Sequence, residues 1–337
     1  MKRYYRPLVQ TGPDRPANAL TLAGGWAWFS HVAIHKRDAP VQHVPATDIS
    51  EAVLACLTAP RAAISVLSMD QPRIMGILNV TPDSFSDGGR FDDPDLAVSH
   101  ANQMIASGAD IIDIGGESTR PGADEVDIAD EIARTEPVIG ALRANSDVAI
   151  SIDTRKAAVA EAAVNAGASL INDVAAFTFD PRLADVAANG GLPVCLMHAQ
   201  GDPKTMQANP RYDDVLLDVY DFLEERIAVA EAAGIARDQI IVDPGIGFGK
   251  TVAHNLALLR GLALFHALGC PILLGASRKR FVSVLGGGDA ATDRLGGSVA
   301  VALHGLRQGV QILRVHDTFA TKQAFDLEQA ISGAQRQ

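Results

Sequence analysis

Cysteine is scarce. The 337 residues hold three, Cys56, Cys195 and Cys270, widely separated and never paired as CxxC. That count argues against a disulfide framework or a cysteine-built zinc site, and it fits a reducing compartment. Basic residues are outnumbered: 29 Lys and Arg stand against 40 Asp and Glu, a formal net charge of -11. Such a chain lacks the broad basic face that displaces counterions from nucleic-acid phosphates, so no nucleic-acid partner is expected. A small anionic substrate stays possible, because a local cluster of Arg and Lys overrides net charge. No apolar run approaches the roughly 18 residues of a membrane-crossing helix, and no apolar core follows the basic start Met1-Lys-Arg-Tyr-Tyr-Arg6. The expectation is a cytoplasmic protein with no membrane partner. HExxH and GxSxG are both absent, which leaves a zinc hydrolase or a serine hydrolase unsupported. Two near-motifs fail on count. Gly247-Phe-Gly-Lys-Thr251 would need a glycine at 244 to be a phosphate-binding loop, and 244 is Pro. A dinucleotide fingerprint from Gly245 would need glycine at 250, which is Lys.

What is present is a core and a rhythm. Hydrophobic residues make up 47% of the chain, enough for a packed interior. Residues 1–71 differ from the rest: both tryptophans and two of the four tyrosines lie there. Gly24–Ile34 reads as a strand and Thr47–Leu57 as a capped helix. This extension carries no recognisable chemistry and is expected to be a cap or an interaction surface. From residue 72 to 337 short apolar, β-branched runs alternate with Ala-rich amphipathic stretches. The strand candidates are 74–80, 110–116, 149–153, 170–174, 193–198, 240–243, 271–276 and 312–317, with helices such as 157–166, 215–233, 295–308 and 319–331 between or after them. Eight such units predict an α/β fold, a (β/α)8 TIM barrel with an N-terminal extension. A doubly wound sheet of the same size is the competing architecture.

In a barrel of this kind the chemistry lies at the C-terminal strand ends. Those ends carry Asn79 with Thr81-Pro-Asp-Ser-Phe-Ser-Asp-Gly-Gly89, then Gly115-Gly-Glu-Ser-Thr-Arg-Pro-Gly122. Asp153-Thr-Arg155, Asn172-Asp173 and Met197-His198 follow, then Asp243-Pro-Gly-Ile-Gly-Phe-Gly-Lys250, Ser277-Arg-Lys279 and Arg314-Val-His-Asp317. Any one of these is explicable as a cap or turn residue; eight together point to one polar mouth. Asp153, Asn172, Asp243 and Lys279 mix acceptors and donors, as a flat heterocycle with several N–H and C=O groups requires. Arg120, Arg314 and His316, with Asn79, are cations and donors suited to phosphate or pyrophosphate. Other readings stay open: Asp153 as an ion-paired core residue, Lys279 as a solvated helix residue, Arg120 as a surface arginine. A pyrophosphate site would call for Mg²⁺ on one or two protein oxygens, with Asn79 and Asp87 as candidates. Asp83 and Asp87 serve equally well as turn residues.

Met75-Gly-Ile-Leu-Asn-Val-Thr-Pro-Asp-Ser-Phe-Ser-Asp-Gly-Gly89 strongly resembles the first signature of the dihydropteroate synthase family, and Gly115–Gly122 its second. Ser151-Ile-Asp-Thr154, Ile171-Asn-Asp-Val174, Cys195-Leu-Met-His198, Asp243–Lys250, Ser277-Arg-Lys279 and Arg314-Val-His-Asp317 match the rest in order. The resemblance covers roughly residues 74–330. It implies a folate-pathway transferase that joins 6-hydroxymethyl-7,8-dihydropterin pyrophosphate to p-aminobenzoate and releases pyrophosphate. By analogy Asp153, Asn172, Asp243 and Lys279 hold the pterin, with Met197 lining its pocket and Arg314 over its ring. Asn79, Arg120, Arg314 and His316 would hold pyrophosphate with Mg²⁺. Thr119, Pro121, Phe248 and Lys279 would bound the p-aminobenzoate pocket, where sulfonamides compete in this family. Arg120, Lys279, Arg314, His316 and Asp153 are the expected catalytic set, and a homodimer the expected assembly. Arg314→Ala and Lys279→Ala are expected to lose most turnover with folding intact. Deleting residues 1–71, far longer than the family's N-terminal hairpin, is expected to impair solubility or assembly more than chemistry. Arg280 stands where some members have Ser, and Ala199 is a minor departure. Two rivals remain: a methyltetrahydrofolate-type methyltransferase, and a non-catalytic pterin-binding paralogue.

Overall fold

The computed structural model describes residues 2–81, 94–118, 122–201 and 206–333. The chain begins with a small sheet in which β1 (Tyr4–Pro7) pairs antiparallel with β4 (His31–His35), and β4 with β5 (Gln42–Pro45). Between them β2 (Leu20–Thr21) and β3 (Trp28–Phe29) make a short hairpin, and α1 (Glu51–Thr58) follows. The expected strand over 24–34 is therefore interrupted. Ala23 and Gly24 both have positive φ, and Leu22 N–H closes a turn onto the Ala27 carbonyl at 2.9 Å. That turn is the hairpin's bend, so extended structure starts only at Trp28. The predicted helix likewise starts at Glu51 rather than near Thr47, because residues 46–48 form a separate 3₁₀ turn.

Eight parallel strands follow: β6 (Arg73–Asn79), β7 (Ile111–Gly115), β8 (Ala149–Asp153), β9 (Leu170–Asp173), β10 (Val194–Met197), β11 (Ile240–Asp243), β12 (Leu273–Leu274) and β13 (Ile312–Val315). Each of β6 to β11 lies beside the next in chain order, β13 lies beside β6, and β12 beside β13. The ring closes where Val242 bridges in parallel to Ile272, with Val242 N–H on the Pro271 carbonyl at 3.0 Å. The strand order never reverses, so the doubly wound alternative falls and the (β/α)8 barrel stands. The expected strand over 271–276 shrinks to two residues, since Ile272 N–H is taken by the Gln311 side chain at 2.9 Å rather than by a ladder carbonyl. The outer helices are α2 (Pro94–Ala106), α3 (Ile128–Asn145), α4 (Ala157–Ala166), α5 (Arg182–Gly190), α6 (Val215–Ala232), α7 (Val252–Arg260), α8 (Arg280–Gly286), α9 (Leu295–Arg307) and α10 (Thr318–Ile331). Two of them, α8 and α9, fall between β12 and β13.

Strand residues alternate between the helix layer and the barrel interior. Ile74, Leu78, Ile112, Ile114, Ile150, Ile152 and Val242 pack outward against helices. Met75, Ile111, Ala149, Leu170, Cys195, Ile241, Leu273 and Ile312, one from each strand, form a separate inner cluster. Ile64 and Met69 pack into that cluster, each 1% exposed, so the residues just before β6 close the barrel floor. Two residues further along the strands the inner face becomes polar. Asp113, Ser151, Asn172, Asp243 and Arg314 stand at that level, above a dry floor.

The first 61 residues carry a core of their own, with Leu22, Phe29, Val32 and Leu57, and dock on the outside of the helices. Trp26 donates its indole N–H to the Leu306 carbonyl at 3.0 Å. Tyr4 stacks edge-on against Tyr220 and bonds Asp221. Arg61 donates to the carbonyls of Cys56, Ala59 and His266, tying the end of α1 to the barrel. Met69→Ala should cost about 2–4 kcal/mol in equilibrium unfolding, because it leaves a cavity under eight strands. A loss below about 1 kcal/mol would mean that the floor collapses freely around it.

Candidate active site

The polar level is organised around one guanidinium. Arg314 on β13 donates through Nε to Asp113 at 2.5 Å and through Nη2 to Asp153 at 2.6 Å. Asn172 on β9 donates its amide to Asp113 at 3.2 Å. Asp113 is fully buried in β7 and Asp153 nearly so at the end of β8. Among the described residues one oxygen of Asp153, Oδ1, is buried with no partner, as is the Ser151 hydroxyl one layer below it. Burial raises the Asp153 pKa; Arg314 pulls against this, and the Asp113 charge adds to it. Burial works against the charge of Arg314, but the two carboxylates outweigh it and hold its pKa above normal. An open acceptor at the polar end of the barrel, with an amide and a cation at hand, is equipped to receive the N–H edge of a flat heterocycle.

Asp243 completes this level from β11. Its Oδ1 accepts the Gly245 N–H at 2.7 Å, and burial raises its pKa. Gly275, close to it past the end of β12, leaves room: a Cβ there would lie 3.6 Å from Asp243 Oδ2 and 3.8 Å from Arg314 Cδ. Met197 lines the neighbouring strand, opposite Asp243 in the ladder. Lys279 stands at the start of α8 with its ammonium 3.8 Å from the Phe248 ring centroid. Burial and then the Arg314 charge lower the Lys279 pKa, and Asp243 and Asp153 oppose them. Phe248 rides on a loop that only glycine permits. Gly245 and Gly249 have φ of +66° and +60°, and a Cβ at either would collide with the carbonyl of His198 or Gln200.

Arg278, between Ser277 and Lys279, adopts a left-handed φ of +57°. Its guanidinium grips Asp317 through two bonds, and its N–H bonds Ser298. This clamp turns the chain so that Ser277 meets His316, whose Nδ1 lies 3.1 Å from the Ser277 hydroxyl. Asn79 ends β6 opposite Gly115, which in turn pairs with Asp153. The described residues therefore bring together Asp153, Asn172, Asp243 and Arg314, with Lys279 in electrostatic reach of them and its ammonium over the Phe248 ring. Thr119, Arg120, Pro121 and Asp87 lie outside the described residues. Asn79 offers one neutral amide oxygen at the rim, the kind of donor that suits a Mg²⁺ otherwise held by phosphate oxygens and water. Among the described residues no three His, Cys, Asp or Glu side chains form a chelating group.

Sequence reasoning missed several members. Asp113 sits inside Ile-Ile-Asp-Ile-Gly, read as a uniformly apolar strand; counting every second residue from Ile111 would have turned it inward. A buried network was also missed. Lys156 bonds Glu131 at 2.8 Å and Glu117 at 3.3 Å, and Arg155 bonds Glu117 at 3.1 Å. Glu117 accepts the Val126 N–H, so the network holds both described flanks of the segment containing 119–121.

The pterin binding enzyme model matches residues 75–316. The chain is 48% identical over 268 residues to the dihydropteroate synthase of Escherichia coli K12, covering 80% of this chain and 94% of that one. The chain belongs to the dihydropteroate synthase family. Two solved members superpose closely on it. A Yersinia pestis dihydropteroate synthase with a sulfonamide drug is 48% identical, at a TM-score of 0.76 over 79% of this chain and 96% of the other. A Xanthomonas albilineans dihydropteroate synthase with 4-aminobenzoic acid is 47% identical, at a TM-score of 0.75 over 79% and 94%. The family's barrel thus accounts for residues 75–316, and Asp113 joins the signature residues as the partner of Arg314.

The two carboxylates on Arg314 change what its removal should do. Arg314→Ala should lower stability by about 3 kcal/mol near neutral pH, because it strands two buried charges. A carboxylate whose folded pKa is raised costs stability once the pH exceeds its unfolded value, and the cost grows until the folded pKa is passed. Asp153 already stands at about 7 beside the cation and losing Arg314 raises it further, so the deficit should widen as the pH rises from 7 toward about 9 and shrink as it falls below 7. Urea unfolding at two pH values checks this; an equal deficit at both would exclude stranded carboxylates as its cause.

Proposed function

We propose that this chain condenses 6-hydroxymethyl-7,8-dihydropterin pyrophosphate with p-aminobenzoate, giving 7,8-dihydropteroate and pyrophosphate, with pyrophosphate departing ahead of amine attack. The observation that carries the reading is the polar level inside the barrel: Asp153, with a buried oxygen open among the described residues, is bridged by Arg314 to Asp113, which also accepts from Asn172. An amino-pyrimidinone edge presents parallel N–H donors to such acceptors, and Asp243 and Lys279 supply a further acceptor and donor. Met197 forms an apolar wall.

The reacting carbon is a CH₂ on an electron-rich dihydropterin, so the ring delocalises positive charge as the C–O bond to pyrophosphate breaks. The carbon then takes the amine lone pair, and one N–H proton leaves to solvent or to the departing pyrophosphate. An aromatic amine is neutral at pH 7, so no dedicated base is required. Asn79, Arg120, Arg314 and His316 stabilise the leaving group. Asn79, with Asp87 as a further candidate, would hold Mg²⁺, which would supply charge neutralisation to the pyrophosphate. The carboxylates at the ring's edge favour the cation electrostatically. Thr119, Pro121, Phe248 and Lys279 bound the amine's pocket, and sulfonamides compete for it.

The assembly we propose is a homodimer through barrel helices. Val284 and Leu285 on α8, Leu295 on α9, and Phe319 and Leu327 on α10 are apolar and exposed, between 40% and 65%, on neighbouring helices. No helix among the described residues is long and apolar enough to cross a membrane, which accords with a cytoplasmic location.

Purified protein given the pterin pyrophosphate and Mg²⁺ should release pyrophosphate only when p-aminobenzoate is present, yielding dihydropteroate. Pterin binding without release would favour the non-catalytic paralogue; methyl transfer from a folate would favour the methyltransferase. Lys279→Ala should lose most of this turnover with folding intact, and a near wild-type rate would remove Lys279 from the site. Sedimentation at micromolar concentration should give twice the monomer mass, and Phe319→Glu should halve it.

A further inference from the structure

The loop between β11 and α7 is held in an unusual way. Three successive carbonyls on it are each capped by a side chain from elsewhere or from its own end. Gln207 donates to the Gly247 carbonyl at 2.6 Å, Lys250 to the Phe248 carbonyl at 2.9 Å, and Tyr212 to the Gly249 carbonyl at 2.8 Å. The loop's N–H groups are also taken: Gly245 by Asp243 and Gly247 by Asn255, each at 2.7 Å. The backbone is therefore fixed by side chains where a helix or ladder would ordinarily fix it.

Lys250 is the centre of this arrangement. It is 3% exposed, and among the described residues none of its hydrogen-bond partners is a carboxylate. Its ammonium reaches three acceptors, His198 Nδ1 at 2.9 Å, the His198 carbonyl at 3.3 Å and the Phe248 carbonyl. Burial pushes the Lys250 pKa down to about 7, and burial with the Lys250 charge holds that of His198 well below its ordinary value, so the imidazole is neutral. The ring of His198 is itself wedged edge-on against Phe222 at 4.8 Å. Gly245 meanwhile brings the loop so close to the His198 carbonyl that a Cβ there would lie 1.8 Å from it. Lys250 thus joins the end of β10, which carries Met197, to the loop that carries Phe248. Phe248 in turn receives the Lys279 ammonium on its ring at 3.8 Å.

We propose that Lys250 is a positioning residue for the amine substrate: it locks Phe248 into the wall of the p-aminobenzoate pocket, and it touches neither substrate. This inference rests on the reading that Phe248 and Lys279 bound that pocket. It separates the two substrates. The pterin readers Asp153, Asn172, Asp243 and Arg314 are set by their strands and Lys279 by the start of α8, and none of them takes a hydrogen bond from Lys250, whereas the aromatic wall depends on it. This buried lysine acquires its role from three hydrogen-bond acceptors, with the Asp243 charge acting on it only through space.

The test is a split between substrates. Lys250→Met keeps the stem and removes the donors. Its KM for p-aminobenzoate should rise about tenfold, as expected for losing a buried hydrogen bond that orients a binding group. Turnover at saturating amine and the calorimetric Kd for dihydropterin pyrophosphate should each stay within about twofold of wild type. Tyr212→Phe, which removes only the hydroxyl on Gly249, should raise the same KM about threefold and serves if Lys250→Met does not fold. An unchanged amine KM in the folded variants, or an equal loss of pterin affinity, would overturn the proposal. Amine-dependent pyrophosphate release by the wild-type protein in the same assay tests the underlying reading separately.

Discussion

Arg314 lies with one edge of its guanidinium on Asp113 and the other on Asp153, and the polar half of the barrel depends on that arrangement. Two buried carboxylates on neighbouring strands would repel and protonate without a cation between them. The planar fork of Arg suits this bridging better than Lys, because it donates in two fixed directions at once. The bridge occupies one oxygen of Asp153 and leaves the other buried and, among the described residues, open. A hydrophobic replacement of the whole set would pack more cheaply, as buried ion pairs seldom add net stability. Its retention in the middle of a barrel is explained by recognition, since an acceptor kept dry binds a donor more strongly than one in water.

The inner face divides by level, and this division controls what could be read from the sequence. Strand ends were legible, because a polar residue closing an apolar run is visible without a structure. Asp153, Asn172, Asp243, Lys279, Arg314 and His316 were found that way, and eight strand–helix units gave the barrel. Asp113 was not legible from run hydrophobicity, since it is flanked by three isoleucines and reads as a lapse in a buried strand. Its inward placement follows only from the parity that groups Met75, Ile111 and Ala149 on the floor. Lys250 was visible but set aside with a failed motif, because the loop's glycines were judged as phosphate ligands. Their function is close approach to the His198 and Gln200 carbonyls, a tertiary fact that no local spacing carries.

The first 71 residues were legible as a compositional difference and little more. Their strands are short, their turn at Ala23 and Gly24 needs a left-handed pair, and their attachment runs through single long-range bonds. Ile64 and Met69 look like ordinary linker residues in sequence, yet they fill the floor beneath all eight strands. A barrel floor is sealed by whatever chain enters it, so its packing partners are chosen by topology and not by propensity.

The mouth thus combines two kinds of preorganisation with different physics. Toward the pterin level, order comes from charge: carboxylates, a guanidinium and an amide hold one another in place on rigid strands. Toward Phe248, order comes from backbone capture, with side chains fixing carbonyls on a glycine-dense loop that has no ladder of its own. The strand-borne set reads a ring through fixed hydrogen-bond directions, which suits a substrate whose edge is the same in every encounter. The loop-borne wall offers an aromatic face and an ammonium, which select a flat amine by shape and charge with few directional bonds. Separating the two on different supports lets the amine pocket vary without disturbing the ion cluster beneath it, because no bond from Lys250 reaches Asp113, Asp153 or Arg314.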